Sequence, residues 1–376
     1  MSCGCFGAST GNEETDDINV SGNVKKFSYK QLITATNNFH PSNKIGRGGF
    51  GIVYKGVLKN GTQVAVKALS AESKQGLREF LTEIDVISNV RHANLVKLIG
   101  CCVQGTNRIL VYEYLENNSL DTALLGSNRK TIKLNWGNRS AICKGTASGL
   151  AYLHEELELP IVHRDIKASN ILLDKNFTPK IGDFGLAKLF PDNITHISTK
   201  IRGTTGYLAP EYMLGGKLTK KADVFSFGVL ILEIVSGRSS GKASWGGIQK
   251  LLLEWARQLY EEGQLLEMVD PDLKEFPENE VIRYCCMTIV DYHQVRSIFK
   301  LPEVTGIPIL RKRTLKFLQI EDWMYLNRDG HKIAAREGRR KQAQPFVGKM
   351  GILHNVQSLT LVSLEFLKPI KSPPLL

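Results

Sequence analysis

Between Asp165 and Asp183 the chain carries four polar side chains whose types and spacing suit the transfer of a phosphoryl group to a hydroxyl. Asp165 lies in Ile161-Val162-His163-Arg164-Asp165-Ile166-Lys167-Ala168-Ser169-Asn170, and thirteen positions past Asn170 comes Asp183-Phe184-Gly185. Asp165 would orient an incoming hydroxyl and accept its proton. Asn170 and Asp183 would offer oxygen ligands to magnesium, and Lys167 would neutralise charge on the phosphate in transit. Either half alone is a weak signal, whereas both together in this order are a strong one.

At these spacings the set resembles the catalytic loop and metal-binding motif of the protein kinases. The resemblance implies an α+β, two-lobed fold: a small β-rich N-lobe with one long helix, then a larger helical C-lobe. It also implies ATP and Mg2+ as cofactors and protein as substrate. Lys167-Ala168-Ser169-Asn170 together with Gly203-Thr204-Thr205-Gly206-Tyr207-Leu208 resembles the serine/threonine kinases rather than the tyrosine kinases.

The elements that must position these residues are legible upstream. Ile45-Gly46-Arg47-Gly48-Gly49-Phe50-Gly51 contains G-x-G-x-x-G, a pattern shared by unrelated nucleotide folds. A dinucleotide fold demands a helix next, but here β-rich runs, Val53 to Leu58 and Thr62 to Lys67, flank Asn60-Gly61, a hairpin signal. Side chains at Gly46, Gly48 and Gly51 would keep the backbone from closing over phosphates. Lys67 is expected to grip the α and β phosphates. A helix with Phe80, Ile84 and Ile87 facing inward should present Glu83, sixteen residues on, as the partner that holds Lys67. By resemblance, Tyr112 guards the back of the adenine pocket and the backbone from Glu113 to Leu115 bonds the base. Ile45, Val53, Ala65 and Leu172 complete the expected nucleotide surround.

Asp183 to Glu211 has the length and polarity of an activation segment. Thr195, Ser198, Thr199, Thr204 and Thr205 lie inside it, Thr199 and Thr204 are the first choices for phosphorylation with Ser198 beside them, and Arg164 is the cation that would receive the phosphate. His163 reads as structural, stacking under Phe184, and Asp223 is expected by analogy to hydrogen-bond the backbone of the catalytic loop.

Across roughly Phe27 to Tyr284 the chain resembles the plant receptor-like cytoplasmic kinases, with wording in Leu115-Glu116-Asn117-Asn118-Ser119-Leu120 close to the cold-responsive protein kinases. The implied layout is a disordered segment over 1–26, an N-lobe with its lead-in helix over 27–115, a C-lobe over 116–284, and an atypical, poorly ordered tail over 285–376. Nothing after Tyr284 carries the arginine that in the family pairs with the glutamate matching Glu211. The C-lobe is therefore expected to be incomplete, as a retained intron, an alternative exon or a mistaken gene model would leave it, and an inactive or dominant-interfering isoform is the alternative function.

Composition fits a protein with a sizeable core: 376 residues, 42% of them hydrophobic. No run approaches the roughly 18 apolar residues of a membrane span. Seven cysteines, an odd number with no Cys-x-x-Cys pairing, read as reduced thiols in a cytoplasmic protein rather than as a zinc site. Cys3 and Cys5 are candidates for acylation, which would give reversible association with the inner face of the plasma membrane, within reach of an upstream receptor kinase; Ser2 excludes the myristoylation pattern. The net charge of +12 is concentrated at the end, where Tyr284 to Leu376 holds 15 Lys plus Arg against 7 Asp plus Glu. Such runs are ordinarily solvated, and nucleic acid is not an expected partner.

Overall fold

The computed structural model describes residues 24–300 apart from 49–50, 70–73, 89, 127–131, 192–193 and 241–251. Cys3, Cys5 and residues 301–376 lie outside the described residues.

The first described element is a strand that composition did not announce. Lys25–Lys26 (β1) runs parallel to a strand of the small lobe, Lys25 opposite Gly100 and Lys26 opposite Cys101, so the lobe begins before the expected boundary at Phe27. Gly100 is what admits it, because a Cβ there would lie 2.2 Å from the Lys25 carbonyl oxygen and 2.5 Å from the Phe27 ring. Ser28 then caps helix α1 (Tyr29–Ala35). Its hydroxyl accepts the Gln31 N–H at 3.2 Å, while the Gln31 side chain accepts the Ser28 N–H at 2.8 Å. Leu32 is fully buried, as expected of the lead-in helix.

The sheet continues with β2 (Lys44–Gly48), β3 (Gly51–Val57), β4 (Gln63–Leu69), β5 (Leu98–Gln104) and β6 (Asn107–Glu113), in spatial order β1-β5-β6-β4-β3-β2. The β3–β4 hairpin turns at Asn60-Gly61, where φ of +80° at Gly61 is easy only without a Cβ. Its register puts Val53 opposite Lys67 and Lys55 opposite Ala65. Helix α2 (Lys74–Ile87) buries Phe80, Ile84 and Ile87, and the same inward side buries Glu79 and Glu83.

The large lobe comprises α3 (Leu120–Leu124), α4 (Trp136–Ala151), β7 (Ile161–Val162), β8 (Ile171–Leu173), β9 (Pro179–Ile181), β10 (Lys188–Leu189), β11 (Ile197–Ser198), α5 (Pro210–Gly215), β12 (Lys217–Leu218), α6 (Lys221–Ser236), α7 (Leu252–Glu261) and α8 (Glu278–Lys300). Three short antiparallel pairs, β7 with β10, β8 with β9 and β11 with β12, hold the loops between α4 and α6. Helix α4 approaches Asn94 and Pro179 because it carries Gly145, where a Cβ would meet Pro179 at 2.5 Å.

The large lobe does not stop at Tyr284. Val281, Tyr284, Cys285, Thr288 and Ile289 are all buried and recur at i, i+3, i+4, i+7 and i+8, one continuous face of α8 packed on the lobe. That face spans the point at which family wording ends, so loss of the wording is not loss of helix. Trp136 Nε1 and the Ser140 hydroxyl each donate to Glu280 at 2.8 Å, and Thr288 donates to the Gly228 carbonyl at 3.2 Å. Cys101, Cys102, Cys143 and Cys285 are buried free thiols. No helix among the described residues is long and apolar enough to cross a membrane.

Candidate active site

Two polar clusters face each other between the lobes. The first is a triad built from β4, α2 and the loop after β9. Lys67 Nζ lies 2.6 Å from Glu83 Oε1 and 2.8 Å from Asp183 Oδ1, joining residues 116 positions apart in sequence. Glu83 is wholly buried, and its other oxygen accepts the Tyr112 hydroxyl. Asp183 keeps 44% of its side chain exposed toward the cleft, so one end of the triad is sealed and the other open. Burial works against charge on Lys67, but Asp183 and Glu83 outweigh it and raise its pKa. Burial likewise opposes the Asp183 charge, and the adjacent ammonium overcomes it, holding this carboxyl well below the usual range. Glu83 moves the other way, raised by burial despite Lys67.

The second cluster is the loop from His163 to Asn170, the candidate catalytic loop. Asp165 Oδ2 receives Lys167 Nζ at 2.7 Å and Asn170 Nδ2 at 3.0 Å, and its Oδ1 accepts the Thr204 hydroxyl at 2.7 Å. Lys167 also donates to that hydroxyl at 2.8 Å. With Nδ2 of Asn170 given to Asp165, its Oδ1 is the end left for a cation. Gly182 donates its N–H to the Asn170 carbonyl at 2.9 Å, at the end of the β8–β9 pair, which brings the backbone of Asn170 next to that of Asp183.

Support for this loop is buried. Asp223 on α6 accepts the backbone N–H groups of His163 and Arg164, each at 2.7 Å, and His154 Nε2 at 3.0 Å. Burial alone would raise the Asp223 carboxyl, but these donors and the nearby histidines hold it below the ordinary value. His163 donates Nε2–H to the Gly182 carbonyl at 3.0 Å and meets the Phe184 ring edge-on, 4.8 Å between centroids. Arg164 and Asp183 have φ of +72° and +62°, left-handed values unusual for side-chain-bearing residues and held here by those bonds.

The glycine loop divides in a way its motif does not reveal. Among the described residues a Cβ on Gly46 would meet only Val53, at 3.7 Å, and one on Gly48 would meet nothing within 4 Å. On Gly51 it would lie 2.3 Å from the Ala68 carbonyl oxygen. The need for glycine there is strand packing rather than room for phosphate. Ile45 is exposed at the edge of the sheet, Val53 and Ala65 are half-buried on β3 and β4, Leu115 is buried just after β6, and Leu172 is half-buried on β8. The Glu113 side chain accepts Lys97 N–H at 2.8 Å and Lys180 Nζ at 3.0 Å, and its own N–H donates to the Lys97 carbonyl at 3.1 Å.

The candidate regulatory residues separate. Ser198 is exposed on β11, and Thr199 donates its N–H to the Gly216 carbonyl at 3.1 Å. Thr204 is instead inside the catalytic loop cluster. Arg164 donates to the Leu186 carbonyl at 3.3 Å, the Lys200 carbonyl at 3.0 Å and the Tyr212 hydroxyl at 2.6 Å, while its Nε is buried without a partner. Glu211 Oε2 is also buried without a partner, and burial raises its carboxyl pKa. Sequence reasoning missed Glu79, although it sits one helical turn before Glu83; it is 2% exposed, and burial pushes its carboxyl up to about 7.

A family model described as protein tyrosine and serine/threonine kinase matches residues 39–288. Cold-responsive protein kinase 1 of Arabidopsis thaliana is 56% identical over 275 residues, 72% of this chain and 70% of that protein. A probable LRR receptor-like serine/threonine-protein kinase of the same plant is 57% identical over 273 residues, but the chain spans only 26% of its length. A lysine, a glutamate and an aspartate joined across two lobes, a family match over two thirds of the chain and relatives at this identity agree: the chain belongs to the protein tyrosine and serine/threonine kinase family.

Proposed function

We propose that this chain transfers the γ-phosphoryl group of ATP to serine or threonine hydroxyls of proteins. The observation that carries the reading is the Lys67–Glu83–Asp183 triad, tied by the bond from the Gly182 N–H to the Asn170 carbonyl to the cluster of Asp165, Lys167 and Asn170. Its donor set fits the nucleotide and its metal: Lys67 for the α and β phosphates, Gly46 and Gly48, where an added Cβ would meet no described atom closer than 3.7 Å, and the oxygens of Asp183 and Asn170 for Mg2+. When bound, the cation neutralises charge on the phosphates.

The chain's own residues supply the rest. Asp165 Oδ1 has one lone pair given to Thr204 and another open for the substrate hydroxyl, whose proton it accepts. Lys167, already 2.7 Å from Asp165, stabilises charge on the group in flight. Glu83 keeps Lys67 from wandering, and Tyr112 keeps Glu83 in place. Thr204 serves as a positioning hydroxyl, because a phosphate on it would sit against the Asp165 carboxylate. Ser198 and Thr199 remain the phosphorylation candidates, with Arg164 as the receiving cation. An upstream receptor kinase is the proposed partner, in keeping with the receptor-like names of the relatives, and Cys3 and Cys5, read from the sequence alone, are the proposed acylation sites.

The test is phosphate incorporation by the purified chain with ATP and Mg2+. Phosphoserine or phosphothreonine should appear on a protein substrate, and none with Asp183→Asn. One observation favours the rival, a non-catalytic binding isoform: the orphaned Glu211 oxygen where a family arginine is missing. No incorporation by the unmodified chain, in a preparation that still melts cooperatively, would select that rival.

A further inference from the structure

A cavity of about 350 Å³ is lined by the segment after α2 (Val90, Arg91, His92, Ala93 and Leu95) together with Lys97, Glu113 and Lys180. Three cations surround it and one carboxylate answers them. Glu113 is already bonded to Lys180 at 3.0 Å, and Lys97 has no carboxylate within ion-pair distance among the described residues. Arg91 spends one terminal nitrogen on the Val90 carbonyl, at 2.8 Å, and on the Ile87 carbonyl at the end of α2, at 3.5 Å. His92 stays out of the charge balance. Its Nδ1 accepts the Asn94 N–H at 3.1 Å, and burial lowers its pKa, with Glu156 opposing and Lys180 assisting. Val90 and Leu95 form an apolar floor.

We propose that this cavity binds the phosphate of a phosphomonoester, with Lys97, Lys180 and Arg91 on the oxyanion and the ester's carbon portion over Val90, Ala93 and Leu95. The cavity is larger than inorganic phosphate needs, so a substituent is part of the fit. The site is distinct from the nucleotide cleft and independent of the catalytic reading. It also touches that cleft's frame: Lys180 precedes Asp183 by three residues, and Glu113 belongs to the interlobe connection. An anion that draws Lys180 from Glu113 acts on both.

Thermal unfolding of the full chain tests it, with the nucleotide cleft held by saturating ADP and Mg2+, whose own stabilisation is recorded first. Phenyl phosphate is titrated in one arm and an acetylated phosphothreonine amide in the other. At ten times the dissociation constant the melting temperature should rise by about 3–5 °C. Lys97→Glu should abolish the rise and Lys97→Ala should reduce it, both leaving phosphotransfer without the ester unchanged. The tighter-binding arm tells a free ester from a phosphorylated side chain as the source. An equal rise in the Lys97 variants, no rise at all, or a rise seen in a parallel titration without ADP that vanishes when ADP fills the cleft would each overturn the assignment, the last by locating the ester among the nucleotide's own contacts.

Discussion

Asp183 is the residue at which the chain's electrostatics and its backbone meet: one left-handed φ aims a carboxylate both at Lys67 and into the open cleft. Replacing it with asparagine keeps the shape and removes the charge, and phosphotransfer is expected to fall at least about 10²- to 10³-fold. Thr204→Ala should lower kcat while Thr204→Ser restores most of it, since the hydroxyl and not the methyl meets Asp165 and Lys167. A steady-state assay of the three variants decides this, and equal loss in Ala and Ser would remove the positioning role. Glu211 invites the opposite kind of substitution. Its folded pKa is raised, so the stability its proton contributes is present at low pH and lost as pH rises through the folded value. Glu211→Gln should therefore raise the melting temperature at pH 7 and have little effect in acid.

At the scale of elements, what the sequence made legible was whatever its pattern encodes locally. Asn60-Gly61 announced the β3–β4 hairpin, and the spacing of Phe80, Ile84 and Ile87 announced α2 with Glu83 on its buried side. Contacts that depend on long-range approach were invisible: Lys25 against Gly100, Thr204 against Asp165, Gly51 against Ala68. The face of α8 was available as an i, i+3, i+4, i+7, i+8 set from Val281 to Ile289, but the end of family wording at Tyr284 obscured it. Glu79 was equally available by period, and a glutamate on a helix reads as solvated until the fold buries it. The reciprocal cap of α1 allows a modest check. Ser28→Ala should cost about 1 kcal/mol, read as a melting temperature lower by about 2–4 °C.

For the whole molecule, buried acids set the pH response. The folded value for Glu79, about 7, stands above the ordinary 4.5, so folding takes up a proton. That share of stability is complete below pH about 4.5 and gone above pH about 7, and Glu83 adds to it with the same sign. Glu79→Gln should flatten the stability profile across this window, as urea unfolding at successive pH values would reveal. The short strand β1 carries a different consequence. Because it shields the outer rim of β5, a version of the protein starting at Tyr29 would bare unpaired peptide groups along that rim. Such a shortened protein should self-associate as its concentration rises, and any load applied upstream of Lys25 would reach the catalytic sheet through two residues' worth of hydrogen bonds.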